Sequence, residues 1–166
     1  MPSGLTFDLS IDPHPRFVSG VRRFVEEAFE RLIPDPEAAF RVSMAAHELL
    51  ENATKYASGG RALLRFSLRP GGEHAMVNLS LINETTARHI ERLRERLTAI
   101  GSAQNPLDHY QKLIREGRHN RQESGLGLAR IAAEAEMMLG LEVKDATVAI
   151  LASTRAPTQP RLERAR

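Results

Sequence analysis

Apolar and polar residues alternate over positions 5–11, with Leu5, Phe7, Leu9 and Ile11 set against Thr6, Asp8 and Ser10. Period two predicts a half-buried strand, closed by Pro13 and Pro15. Over 16–32, Phe17, Val21, Phe24, Val25, Phe29 and Leu32 recur at helical spacing. Pro34-Asp35-Pro36 breaks that pattern. Asp35 is placed to cap a second helix, with Pro36 at its first position. That helix is expected to reach about Ala57, with Gly59-Gly60 as its stop. Leu64, Phe66 and Leu68 then alternate with Arg65, Ser67 and Arg69. Pro70-Gly71-Gly72 makes a turn, and Val77, Leu79 and Leu81 resume the alternation, which is a hairpin signal. Positions 83–123 are rich in arginine and carry a helical period at Ile90, Leu93, Leu97 and Ile100. A further helix is predicted over 126–139, stopped by Gly140, and a final strand pair over 141–143 and 147–151.

The order is strand, helix, helix, hairpin, helical insert, helix, hairpin. Hairpin-joined strands predict an α+β two-layer sandwich, its mixed but mostly antiparallel sheet covered on one face by helices. One domain is expected over 1–155, with 84–123 as an insert and 156–166 as a flexible basic tail. In that tail Arg161, Arg164 and Arg166 outnumber Glu163.

Composition narrows the function. At 166 residues, 42% hydrophobic and 27% charged, the chain suits one globular domain. No apolar run reaches the roughly 18 residues of a membrane span. Net charge is only +2, so a nucleic-acid binder is not expected. The absence of cysteine excludes a disulfide scaffold, a thiolate metal site and a cysteine nucleophile. The N-terminus shows no basic segment followed by an apolar one, which makes a cytoplasmic location the expectation. The strand at 5–11 and the first helix offer a surface for a homodimer.

The sharpest chemical feature is the run from His47 to Ala57. On a helical wheel Val42, Ala45, Ala46, Leu49, Ala53 and Tyr56 share one arc. Glu48 and Asn52 stand one turn apart on the shoulder of that arc, together with Met44 and Lys55. A carboxylate and an amide at the edge of a core are costly unless something satisfies them. The pair suits metal-assisted phosphoryl transfer. The Asn52 carbonyl oxygen is a hard ligand suited to Mg²⁺, and Glu48 is placed to accept a proton from an attacking hydroxyl. A surface Glu and Asn with no such role would give the same spacing. His47-Glu48 also opens like half of a zinc-protease helix, but no second histidine follows at the required spacing.

The second feature is Ser124-Gly125-Leu126-Gly127-Leu128-Ala129-Arg130-Ile131, where two glycines open a helix. Bare N–H groups at a helix N-terminus attract phosphate, and glycines let a ligand approach the main chain. The alternative is a plain loop-to-helix turn with Gly127 packed on the sheet. No Lys-Ser or Lys-Thr follows, so this is not a P-loop, and no strand leads into it as a dinucleotide fingerprint requires.

In this order the two features make the sequence resemble the ATP-binding domain of the histidine-kinase, gyrase and anti-sigma-factor superfamily, the Bergerat (GHKL) fold. Residues 48–57 resemble its N-box and 124–131 its second glycine box. The resemblance implies Glu48 as catalytic base and Asn52 as Mg²⁺ ligand. It implies nucleotide contacts from Asn52, Lys55, Gly125, Leu126, Gly127 and Leu128, with 84–123 as the ATP lid. The family's Asp-x-Gly-x-Gly box is replaced by Ile82-Asn83-Glu84-Thr85-Thr86, where Asn83 is expected to offer its carbonyl oxygen to the adenine amino group. An Asn there, with a helical Arg- and Leu-rich insert, is similar to the SiaB-like kinases, which resemble anti-sigma-factor serine kinases and act on small STAS-domain partners. The expected function is Mg-ATP-dependent Ser/Thr phosphorylation of such a partner, with Arg115, Arg118 and Arg121 either steadying phosphates or, for most of them, forming a solvated face. The alternative is a non-catalytic domain that sequesters a partner. An ATPase without a protein substrate is a third.

Overall fold

The computed structural model describes residues 4–117 and 125–158. Arg118, Arg121, Glu123 and Ser124, and the tail arginines, lie outside the described residues. The chain forms β1 (Leu5–Ile11), α1 (Pro15–Leu32), α2 (Pro36–Tyr56), β2 (Ala57–Gly71), β3 (His74–Thr85), α3 (Ala87–Ser102), α4 (Pro106–Glu116), α5 (Leu126–Ala133), β4 (Met138–Lys144) and β5 (Thr147–Pro157). The sheet order is β1-β2-β3-β5-β4, and every neighbouring pair is antiparallel. The expected two-layer α+β sandwich is therefore present, and its sheet has no parallel pair among the described residues.

Helix α2 is the middle of the molecule. The Asp35 carboxylate accepts from the N–H groups of Glu37 and Ala38, and Pro36 opens the first turn, as the sequence predicts. Val42, Ala45, Ala46, Leu49, Leu50 and Ala53 are all buried. Leu49 and Leu50 are adjacent and both fully inaccessible, so α2 is covered on two sides. One side meets α1, which contributes Val18, Val25 and Phe29 to the core. The other meets the sheet. Leu64 pairs with Leu81, Phe66 with Leu79 and Leu68 with Val77, and Leu81 pairs in turn with Ile150. These residues are buried, while intervening positions such as Arg65 and Arg69 are exposed. Phe66 stacks on Phe7 at 4.5 Å and meets Phe29 at 5.7 Å, joining β1 and α1 across the same core.

Several expected boundaries move, the start of the insert among them, since β3 runs to Thr85. The chain passes directly from α2 into β2 at Ala57, so Gly59 and Gly60 lie inside the strand. They sit at positive φ where the β2–β3 register shifts, a bulge that glycine tolerates without strain. The helix expected to reach Leu139 ends at Ala133. Glu136 turns into the left-handed region at φ 52°, the Met137 N–H donates to the Ile131 carbonyl, and β4 begins at Met138. Ala135 and Met137 are buried from this bend rather than from a helix, and Gly140 is a strand residue opposite Leu151. Finally, β5 runs to Pro157, two residues into the segment read as tail. There Thr158 donates to the Gly72 and Glu73 carbonyls.

Candidate functional site

The shoulder of α2 faces the start of α5 across a cleft of about 320 Å³. From α2 it is lined by Glu48, Glu51, Asn52, Lys55 and Tyr56. From the opposite wall come Gly125, Leu126, Gly127 and Leu128, and α3 contributes Arg96. Seven sequence-predicted residues therefore meet in one hollow: Glu48, Asn52, Lys55 and positions 125–128. Glu51, Tyr56 and Arg96 were not predicted. Glu51 was within reach of the sequence, since it shares the helix turns that carry Glu48, Asn52 and Lys55, whereas Tyr56, expected on the apolar arc, is half-buried and lines the cleft.

The two glycines of the far wall answer to different constraints, backbone conformation at Gly125 and the place of the Glu48 carboxylate at Gly127. Gly125 is the N-cap of α5 at φ 64°, and a β-carbon there would also stand 2.9 Å from the Arg96 side chain. A β-carbon at Gly127 would stand 2.6 Å from the Glu48 Oε2. Gly127 thus packs against α2, not against the sheet, and lets the Glu48 carboxylate lie directly on the first turn of α5.

The charges of the cleft are organised in two groups. The Lys55 ammonium donates to Glu51 Oε2 at 2.9 Å, and His47 stands 3.5 Å from the other Glu51 oxygen. The Lys55 hydrogen bond, opposed in part by burial, holds the Glu51 carboxyl below its ordinary range. Glu48 Oε1 accepts from the Arg130 guanidinium at 3.0 Å, and Arg130 also donates to Glu134 at 2.6 Å. Tyr110 of α4 lies close to this group. Burial, together with the carboxylates of Glu134 and Glu48, raises its phenol above the usual value against the opposing effect of Arg130.

Asn83 does not line the cleft. It is buried within β3, and its side-chain amide donates to the Glu84 carbonyl at 2.9 Å. Its neighbour Thr85 donates to the Tyr56 carbonyl at 2.6 Å, which ties the end of β3 to the end of α2. Among the described residues no three His, Asp or Glu side chains gather as a metal cage, so His47 belongs to no such cluster.

Beside the cleft the His89 ring stacks on Tyr56 at 4.0 Å and 16°. His89 is buried and its Nδ1 has no partner. Burial, then the charges of Arg96 and Arg92, lower its pKa to about 4. The unfolded chain, with an ordinary imidazole near pH 6.5, takes up this proton first as pH falls. The His89 contribution is therefore fully present above about pH 6.5 and is lost as pH drops toward 4, by roughly 2–3 kcal/mol. Urea titrations at stepped pH should show this limb in the wild type. It should be flattened in His89→Phe, which keeps a ring on Tyr56.

No helix among the described residues is long and apolar enough to cross a membrane. No protein-family model and no curated protein sequence matches the chain. A solved structure does. A chain of the SiaB–SiaC complex from Pseudomonas aeruginosa superposes with a TM-score of 0.58 at 17% identity, over 91% of this chain and 89% of that one. At that identity the likeness concerns the fold, and the fold is that of a chain from this two-protein assembly.

Proposed function

We propose that this chain is a partner-switching regulator that binds Mg-ATP in the α2–α5 cleft and phosphorylates a Ser or Thr of a small STAS-domain protein. The observation that carries the reading is the meeting of Glu48, Asn52 and the α5 N-terminus in one hollow. The fold shared with a chain of the SiaB–SiaC complex supports a protein partner of the SiaC kind.

The donor set fits the group. Asn52 offers one hard oxygen, which suits Mg²⁺ held mainly by phosphate oxygens and water rather than by a protein cage. Mg-ATP, when bound, supplies the transferable phosphoryl group and the cation that offsets its charge. The N–H groups at the start of α5 hold phosphate oxygens, with the helix dipole in the favourable sense. Lys55 and Arg96 add positive charge to the walls. Glu48 takes the proton of the attacking hydroxyl, in a cleft where its side chain is only 12% exposed.

A second reading, sequestration of the partner without turnover, is favoured by two observations. Glu48 is engaged by Arg130, and Asn83 stands outside the cleft. Incubation with Mg-ATP labelled in the γ-phosphate and a STAS-domain protein separates the two. Phosphoserine or phosphothreonine that falls about a hundredfold in Glu48→Gln is expected. A stable complex with no labelled product overturns the kinase reading in favour of sequestration.

A further inference from the structure

Glu48 touches the cleft, but what holds it stands behind the cleft wall. Arg130 lies one turn into α5, and it does not line the hollow. Its guanidinium spans two carboxylates, 3.0 Å to Glu48 Oε1 through one terminal nitrogen and 2.6 Å to Glu134 Oε2 through Nε. Glu134 follows at i+4, so it orients the guanidinium from within the same stretch of chain. The other Glu48 oxygen rests over Gly127. A free glutamate samples many rotamers, and fixing one costs conformational entropy. Here one oxygen is pinned from behind and the second has a defined place against the α5 backbone. Arg130 itself is 39% exposed at its side chain, which is little burial for a residue whose role is stability.

We infer that Arg130 is a positioning residue for Glu48, setting the carboxylate for proton transfer without touching the nucleotide. The assignment rests on the reading of Glu48 as proton acceptor. In the step served, the acceptor hydroxyl oxygen bonds to the γ-phosphorus and the bond from that phosphorus to the β–γ bridging oxygen breaks. ADP leaves with the electron pair, and the hydroxyl proton passes to Glu48. Arg130 fixes the direction of that last transfer and, through Glu134, ties it to the placement of α5. Since α5 also lines the cleft with its first residues, 126–128, one helix aligns the proposed phosphate seat with the base.

The test uses the full chain with Mg-ATP, with a STAS-domain protein or water as acceptor. Steady-state rates are compared for wild type, Arg130→Met, Arg130→Lys and Glu48→Gln. Arg130→Met should lower kcat about ten- to a hundredfold while the KM for ATP stays within about threefold. Arg130→Lys keeps a charge but not the fork, and should recover part of the loss. The double variant Arg130→Met/Glu48→Gln should be no slower than Glu48→Gln alone, because the two residues act as a unit. A wild-type kcat in Arg130→Met overturns the assignment. So does a KM that rises while kcat holds, which would make Arg130 a phosphate contact. If the wild type transfers phosphate but Glu48→Gln is equally fast, the base reading fails and the assignment with it. No transfer by the wild type to either acceptor overturns the kinase reading itself.

Discussion

Gly127→Ala is expected to leave the chain folded and to reduce phosphoryl transfer about a hundredfold. The new β-carbon would stand 2.6 Å from the Glu48 Oε2. The atom in the way is the tip of a flexible side chain, so Glu48 yields rather than the backbone. It yields by leaving its place on α5 and its pairing with Arg130. Two stability terms then nearly cancel. Alanine is better than glycine in a helix by up to about 1 kcal/mol, and a partly exposed ion pair contributes a similar or smaller amount. The melting temperature should therefore move by only a few degrees while turnover collapses. Thermal melts beside a transfer assay check both halves. Unchanged turnover in a folded Gly127→Ala would show that the placement of Glu48 on α5 has no part in the chemistry.

Leu49→Ala should do the reverse and act through stability alone. Leu49 is fully inaccessible, one residue from Glu48 on the face of α2 that packs into the core. Truncation leaves a cavity at the centre of the molecule, for a cost of about 2–5 kcal/mol. That is a large share of the roughly 5–15 kcal/mol that holds a domain together. A lower urea midpoint with an unchanged slope is the expected result. Neighbouring residues of one helix thus divide between core and cleft, and these two substitutions separate the roles.

Much of this was legible in the sequence because it is local. The alternation at Leu5–Ile11, the Asp35-Pro36 cap and the hairpin signal around Gly71-Gly72 each reappear as β1, the start of α2 and the β2–β3 turn. Glu48 and Asn52 were legible as a pair because helical period places them on one face. The end of α5 was not legible. Residues Ala132 to Leu139 are apolar apart from Glu134 and Glu136, and apolar content does not distinguish a helix from a buried bend feeding an edge strand. Arg130 was invisible for a different reason. Its partner Glu48 lies 82 positions away in the chain. Only the packing of α5 against α2 joins them, and within its own helix Arg130 reads as an ordinary charge next to Ile131. Asn83 was expected where the middle strand gives way to the insert and falls inside β3, but a position in a strand does not say where a side chain finds its hydrogen bond.

The proposed function requires the α2–α5 cleft to seat a Mg-bound triphosphate through Asn52 and the first amides of α5. Calorimetric titration of Mg-ATP into the wild-type chain, beside Asn52→Ala, tests it most directly. A saturable binding heat in the wild type, with affinity at least about tenfold weaker in Asn52→Ala, is the predicted result. The absence of binding in the wild type, or equal affinity in both proteins, would contradict it.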